Sequence, residues 1–338
     1  MKPISIVLLT LFTAVACSSN KKSSQEKLDN IFASNYEHSI ISKGDNLPNF
    51  DRRKDSLDLF LVALHEQIAP EIFQERVHWS DENLNEKILF LKDKGWLTDD
   101  DKGLRPTVFI ATDLQGKELF RYGRSLAEKI ALSIEETLPS IKKKFKAKGL
   151  TEDYDFDSMS FLILSNVLLD NWQIMQMEAA YLKKENRPER HGKFYYASIE
   201  ENVNSGIEPF GIYGNQFGKI NDTTYLSIYG NNRIVVNERL RNDEEFKDSI
   251  LNVALELTPA LYNFFDEIAE DYRPVLLKLL DEQTDYSRQI YEETGYSNEI
   301  AYEEFFIWWY HFIYTDATNI LAERKQLTIP AEGNYYYK

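Results

Sequence analysis

The chain contains a single cysteine, Cys17, which lies close to the amino end of its 338 residues. No disulfide can therefore form within the chain, so an apolar core has to hold the fold together. Aromatic residues make a large core possible, because the sequence has 20 Tyr, 20 Phe and 5 Trp. Exposed Tyr and Trp also line carbohydrate and peptide sites, which is the alternative use of such residues. About 310 residues follow the polar segment after Cys17, enough for one or two domains.

A short leader, residues 1–16, precedes this cysteine. One positive charge, Lys2, comes before an apolar run at 4–12, and the small residues Ala14-Val15-Ala16 lead directly to Cys17. This order is similar to the lipobox of bacterial lipoproteins, and the resemblance implies that a lipid is attached to Cys17 once residues 1–16 are removed. An ordinary secretory signal is the alternative, because the same small residues fit an A-x-A cleavage site.

Residues 17–54 are interpreted as a tether followed by an irregular segment. The residues directly after Cys17 are too poor in apolar side chains to fold. An aspartate directly after the cysteine would resemble an inner-membrane retention signal. This chain has Ser18 at that position, so we expect anchoring in the outer membrane. The tether is basic rather than acidic and does not resemble a surface-export signal. We therefore expect the protein to face the periplasm.

The charge of the chain limits its partners. The formal net charge is −16, and removal of Lys2 with the leader makes it −17. A surface this acidic repels nucleic-acid backbones and anionic lipid headgroups. The expected partners are thus the membrane, through the lipid on Cys17, and a protein or a glycan, but not a nucleic acid.

The first folded domain is predicted over residues 55–150. Apolar residues at helical spacing predict three helices, the third capped by Ser80 and ended by Gly95. A hairpin is predicted from 107 to 122, and a helix from about 125 to 148. Three helices, a hairpin and a helix in this order resemble a winged-helix domain over about residues 55–148. The DNA-reading face of the predicted third helix would be acidic or neutral, so we interpret the domain as a packing or protein-contact module.

A second domain is expected over residues 151–330, with a polar tail at 331–338. An apolar helix that ends near Lys184 is predicted to form its buried centre, and a strand is predicted at 193–199. Most of the remainder is predicted to be helical. The expected fold class is therefore α+β and predominantly helical: a winged-helix-like N-terminal domain and a helical domain with a small antiparallel sheet.

A repeated Tyr-Gly-Asn sequence is the most unusual local feature of the second domain. The two copies lie sixteen residues apart, on either side of a turn predicted near Asn221. The repeat predicts a hairpin, and it makes Tyr213, Asn215, Tyr229 and Asn231 candidate binding residues. The alternative is that two matching β-bulges simply keep the strands in register.

No known catalytic motif is present, and neither a metal site nor a cofactor is expected. The last helix, predicted from 302 to 324, is mostly aromatic but has one polar face, formed by Glu304, Trp308, His311, Thr315 and Thr318. A carboxylate beside a histidine is suited to acid–base chemistry, so His311, Glu304 and Asp170 are candidate catalytic residues. The same arrangement is also a common way to satisfy a buried histidine.

Two classes of function stay open at this point. The first is a membrane-anchored envelope lipoprotein that acts as a binding or scaffold module for a protein or glycan partner. The second is an envelope hydrolase that uses His311 with a carboxylate, either Glu304 or Asp170. Because the sequence contains no known catalytic motif, the binding or scaffold class is favoured over the hydrolase.

Overall fold

The computed structural model describes most of the chain, namely residues 23–42, 46–182, 187–202, 216–219, 225–228, 239, 242–253, 255–329 and 334–337. The structure is α+β and mostly helical, as predicted. The chain divides into two compact units. Unit 1 contains the described residues up to Ala111 together with those of Asn186–Asn202 and Asn298–Ile300. Unit 2 contains the described residues of Thr112–Glu185, Val203–Ser297 and Ala301–Lys338.

Four helices form one layer of unit 1: α1 (23–33), α2 (Leu57–His65), α3 (Pro70–Val77) and α4 (Asp81–Asp93). Local sequence sets the ends of α4, as predicted. The Ser80 hydroxyl accepts a hydrogen bond from the Asn83 amide at 3.2 Å. Gly95 follows the helix at φ +68°, a left-handed conformation that a glycine adopts without strain.

A mixed sheet forms the other layer of unit 1, with the strand order β1–β6–β4. Strand β6 (Lys193–Asn202) is central; β1 (Asn35–Ser42) pairs with it antiparallel and β4 (Phe109–Ala111) pairs with it parallel. The short strand β5 (Glu189–Arg190) also pairs with β6. Alternate residues of β6, including Ala197 and Ile199, belong to the apolar core shared with the helices.

The hairpin predicted at 107–122 was wrong in position. The observed hairpin is formed by β2 (Leu97–Asp100) and β3 (Gly103–Pro106). Helix α5 (Asp113–Ala147) then begins where the second strand was predicted. The turn-like sequence 113–116 is instead a capped first helical turn, since the Thr112 amide donates to Oε1 of Gln115 at 3.0 Å.

Five helices account for most of unit 2: α5, α7 (Glu244–Val253), α8 (Pro259–Asp281), α9 (Thr284–Glu293) and α10 (Tyr302–Glu323). Helix α5 packs along α10, where the Trp309 indole donates to the Leu119 carbonyl at 2.9 Å. This packing explains why residues 112–150 belong to unit 2, whereas the sequence interpretation placed them in the first domain.

The long apolar helix predicted to end near Lys184 is interrupted. A π-helical segment, Leu162–Val167, is followed by a break at Asp170 (φ −113°, ψ −105°) and then by α6 (Asn171–Ala180). The Ser165 and Thr318 hydroxyls form a buried hydrogen bond of 2.9 Å. Polar groups inside an apolar helix need such partners, and a π-helical turn re-aims them toward a neighbouring element.

Unit 2 also contains a small antiparallel sheet, β7–β8–β9, formed by Gln216–Lys219, Tyr225–Ile228 and Asn334–Tyr337. The tail predicted at 331–338 therefore contributes a strand. The register pairs Gln216 with Ile228 and Lys219 with Tyr225.

Within the described residues, no helix combines the length and the apolar character needed to cross a bilayer.

Candidate functional site

The polar face of α10 lies inside unit 2. Its members Glu304, Trp308, His311, Thr315 and Thr318 are all buried, as the helical spacing predicts. The three candidate catalytic groups have little contact with solvent, because the exposed fraction is 6% for His311, 1% for Glu304 and 6% for Asp170. Any chemistry at these residues would take place in an environment of low polarity.

The hydrogen bond of His311 assigns its tautomer. Nδ1 of His311 lies 2.7 Å from the Ile307 carbonyl oxygen. Since a carbonyl oxygen only accepts, Nδ1 must carry a proton, which defines the Nδ1–H tautomer when the ring is neutral. The rings of Trp308 and Tyr314 flank the imidazole, with centroid distances of 5.4 and 5.2 Å. This tautomer suits a general base, and it also suits a histidine held in a packed core.

Asp170 lies at the break before α6 and close to Tyr310. The Tyr310 hydroxyl donates to the Leu169 carbonyl at 2.9 Å. Burial raises the pKa of Tyr310 well above its usual value, and the negative charge of Asp170 contributes in the same direction. Since α10 packs against the π-helical segment, the fold brings Asp170 and the polar face of α10 to the same region of unit 2.

Unit 1 contains two largely buried histidine–carboxylate pairs that the sequence analysis missed. His38 Nε2 lies 3.0 Å from Asp58 Oδ2, and His65 Nδ1 lies 2.7 Å from Glu299 Oε2. Burial lowers the pKa of His38, and Asp58 partly opposes that shift. Asp58 carried a weak signal, because it is a carboxylate within the apolar run of α2. The partners of His65 are 234 residues apart, and nothing local in the sequence marks them.

A further feature is an aromatic pair on the surface of unit 2. Trp172 of α6 and Tyr262 of α8 lie with their ring centroids 6.2 Å apart. The Trp172 indole donates to Asp266 Oδ1 at 3.1 Å. The sequence analysis placed Trp172 in the buried helix, and Tyr262 carried no signal of its own.

The remaining candidates lie outside the described residues. These are the lipid-attachment residue Cys17 and the hairpin residues Tyr213, Asn215, Tyr229 and Asn231. Within the part of the chain that the structure describes, no group of three or more His, Cys, Asp or Glu side chains is arranged to hold a metal ion.

Comparison with known proteins finds no matching family model, no matching curated protein and no matching solved structure.

Proposed function

We propose that the protein is an envelope lipoprotein, anchored in the outer membrane through Cys17 and facing the periplasm, that acts as a binding or scaffold module for a protein or glycan partner. The position of Cys17 after a charged, apolar and small-residue leader supports the anchor. The observation that favours binding over catalysis is the burial of His311, Glu304 and Asp170. A catalytic group has to reach its substrate, whereas a buried polar group that holds helices together does not.

The first unit supports a protein-contact role for the winged-helix-like segment. Helices α2, α3 and α4 precede the β2–β3 hairpin, which matches the first part of the order in the resemblance, whereas the closing helix of that order, α5, belongs to unit 2. The third of these helices, α4, carries Asp81, Glu82 and Asp93, and all three side chains are exposed. An acidic face is unsuited to a phosphate backbone and suited to a protein partner.

The tautomer of His311 supports hydrolysis as a second candidate function. The hydrogen bond between Nδ1 and the Ile307 carbonyl holds the imidazole in one orientation, which a general base requires. The test is turnover of peptidoglycan fragments and envelope lipid esters by the purified protein and by His311→Gln. Turnover that the substitution abolishes would favour hydrolysis, and no turnover in either protein would support the binding module.

Membrane fractionation tests the anchor. We expect the parent protein in the outer-membrane fraction and Cys17→Ser in the soluble periplasmic fraction, because the thiol is the attachment point. A Ser18→Ala variant is the matched control and should fractionate like the parent. If Cys17→Ser remains with the membrane as the parent does, the anchor assignment is wrong.

Capture of partners tests the binding role. Anchored protein is cross-linked in whole cells, and recovered proteins and glycans are compared between the parent and the double variant Asn215→Ala/Asn231→Ala. We expect lower recovery per folded molecule and an unchanged Tm if the repeated Tyr-Gly-Asn hairpin contacts the partner. Unchanged recovery with a lower Tm would assign the repeat to strand register instead.

A further inference from the structure

Tyr262 is exposed on unit 2 although aromatic side chains there are mostly buried. It is 47% exposed, and Phe194 of unit 1 is the one other aromatic side chain classed as exposed among those that the structure describes. Trp172, its neighbour at 6.2 Å, is half-buried, and the two rings are inclined at 53°. The pair offers accessible aromatic surface on two adjacent helices.

The surroundings hold this aromatic pair in place. The buried ring of Phe265 lies under Trp172, edge to face, with centroids 5.6 Å apart. The Trp172 indole also donates a hydrogen bond to the Asp266 carboxylate. Helix α8, which carries three of these residues, is joined to α5 by Glu267, whose carboxylate lies 2.8 Å from Lys144 Nζ. A surface that is already ordered loses little entropy when a ligand binds.

Polar side chains also lie where α6 packs against α8, next to the aromatic pair. Tyr262, Asp266, Ala269 and Arg273 follow spacings of four, three and four and share one face of α8. Gln173, next to Trp172, donates through Nε2 to the Ala269 carbonyl at 2.6 Å. Among the described residues, Gln173 Oε1 and Arg273 Nε are buried atoms without a hydrogen-bond partner. Since these two atoms are buried, the polar group that lies beside the rings at the surface is the partly exposed carboxylate of Asp266.

This combination matches the chemistry of a sugar. The C–H groups on one face of a pyranose ring are apolar and slightly positive, so they pack on the negative face of an aromatic ring. The hydroxyl groups both donate and accept, and a carboxylate such as that of Asp266 accepts hydrogen bonds from them. A carboxylate beside the rings, on a chain of net charge −16, opposes an anionic ligand.

We propose that the α6–α8 surface formed by Trp172, Tyr262 and Asp266 binds an uncharged oligosaccharide, with a sugar ring stacked on Tyr262 and its hydroxyl groups hydrogen-bonded beside it. This inference rests on the proposed binding function and names the class of its ligand. The surface belongs to unit 2 alone, and none of its three residues lies on the helix α10 that carries His311.

Calorimetric titration of the full-length protein tests the site. The probes are an N-acetylglucosamine tetramer and a maltotetraose, both uncharged, at millimolar concentrations, and a sulfated oligosaccharide as an anionic comparison. We expect binding of at least one uncharged probe and none of the sulfated one. Tyr262→Ala should weaken that binding three- to tenfold, because it removes the stacking surface. Tyr262→Phe keeps the ring and should bind like the parent.

Phe194→Ala is the matched control, since it removes an exposed aromatic ring from unit 1 and should leave sugar binding unchanged. Because about half of the Tyr262 surface is exposed, Tyr262→Ala should lower the Tm only slightly, and binding is measured at a temperature where both proteins are folded. No binding of either uncharged probe, equal binding by Tyr262→Ala, or preference for the sulfated probe would overturn the proposal. Partner capture in cells distinguishes failure of the sugar site from failure of the proposed binding function. If Tyr262→Ala recovers the partner as the parent does, the binding module stands and the sugar site falls.

Discussion

Gly123 lies where helix α5 meets α10, and replacing it with alanine tests how closely the two helices are packed. A Cβ atom at this position would lie 2.9 Å from Cγ1 of Ile313, which is closer than carbon atoms normally approach. Gly123 is helical, with no positive φ, so the backbone itself accepts alanine. The substitution therefore isolates one steric contact inside unit 2.

Two effects of opposite sign determine how Gly123→Ala changes the free energy of unfolding. Alanine within a helix is about 0.5–1 kcal/mol more favourable than glycine, because less backbone entropy is lost on folding. Inserting a methyl group into a closely packed core costs about 1–3 kcal/mol. We expect Gly123→Ala to lower the free energy of unfolding by about 1 kcal/mol, since the steric cost exceeds the helix propensity.

The effect of Gly123→Ala on the free energy of unfolding should change sign when the contact with Ile313 is removed. Ile313→Ala deletes the Cγ1 atom, and on this background Gly123→Ala should raise the free energy of unfolding by about 1 kcal/mol. The coupling between the two substitutions is then about 2 kcal/mol in a double-mutant cycle measured by chemical denaturation. Ser125→Ala, an exposed change on the same helix, is the control and should have the same small effect on both backgrounds. Equal effects of Gly123→Ala on the two backgrounds would refute the packing argument.

Three further outcomes are expected from purified protein. Ser80→Ala should cost about 1 kcal/mol by removing the cap of α4, whereas Ser80→Asp should largely retain it, and denaturation curves compare the two. His311→Ala should cost about 1–3 kcal/mol because it removes a buried, hydrogen-bonded ring, and a variant as stable as its parent would favour the catalytic interpretation. Lys144 and Lys148 lower the pKa of Glu267 to about 2, so the stability this carboxylate contributes is present above about pH 4.3 and is lost as the pH falls toward 2. The difference in unfolding free energy between the parent and Glu267→Gln should shrink as the pH falls through this range. A difference that stays constant would contradict the assignment of the lowered pKa to Lys144 and Lys148.

Features that depend on a few consecutive residues could be predicted from the sequence. The cap at Ser80 and the turn at Gly95 end α4 through their own hydroxyl group and backbone conformation. The predicted last helix, 302–324, matches α10 (Tyr302–Glu323) closely, because a long apolar segment at helical spacing is a strong local signal. The same spacing placed His311 and Glu304 on one buried face.

The polar sequence at 113–116 shows the limit of local evidence. A turn and a capped helix start use similar residues, and packing of α5 against α10 favours the helix. The edge strand β1 was missed for a related reason. Its residues carry a weak pattern, and pairing with β6 from far along the chain makes them a strand.

The arrangement of side chains into sites was decided by the tertiary structure. The pair His65–Glu299 and the aromatic pair Trp172–Tyr262 join residues 234 and 90 positions apart. The helical character of the chain and its acidity could be predicted in advance, because they follow from composition and short-range spacing. Which polar groups meet depends on how helices pack and strands pair, and the free energy of that packing comes from contacts between residues that are distant in the chain.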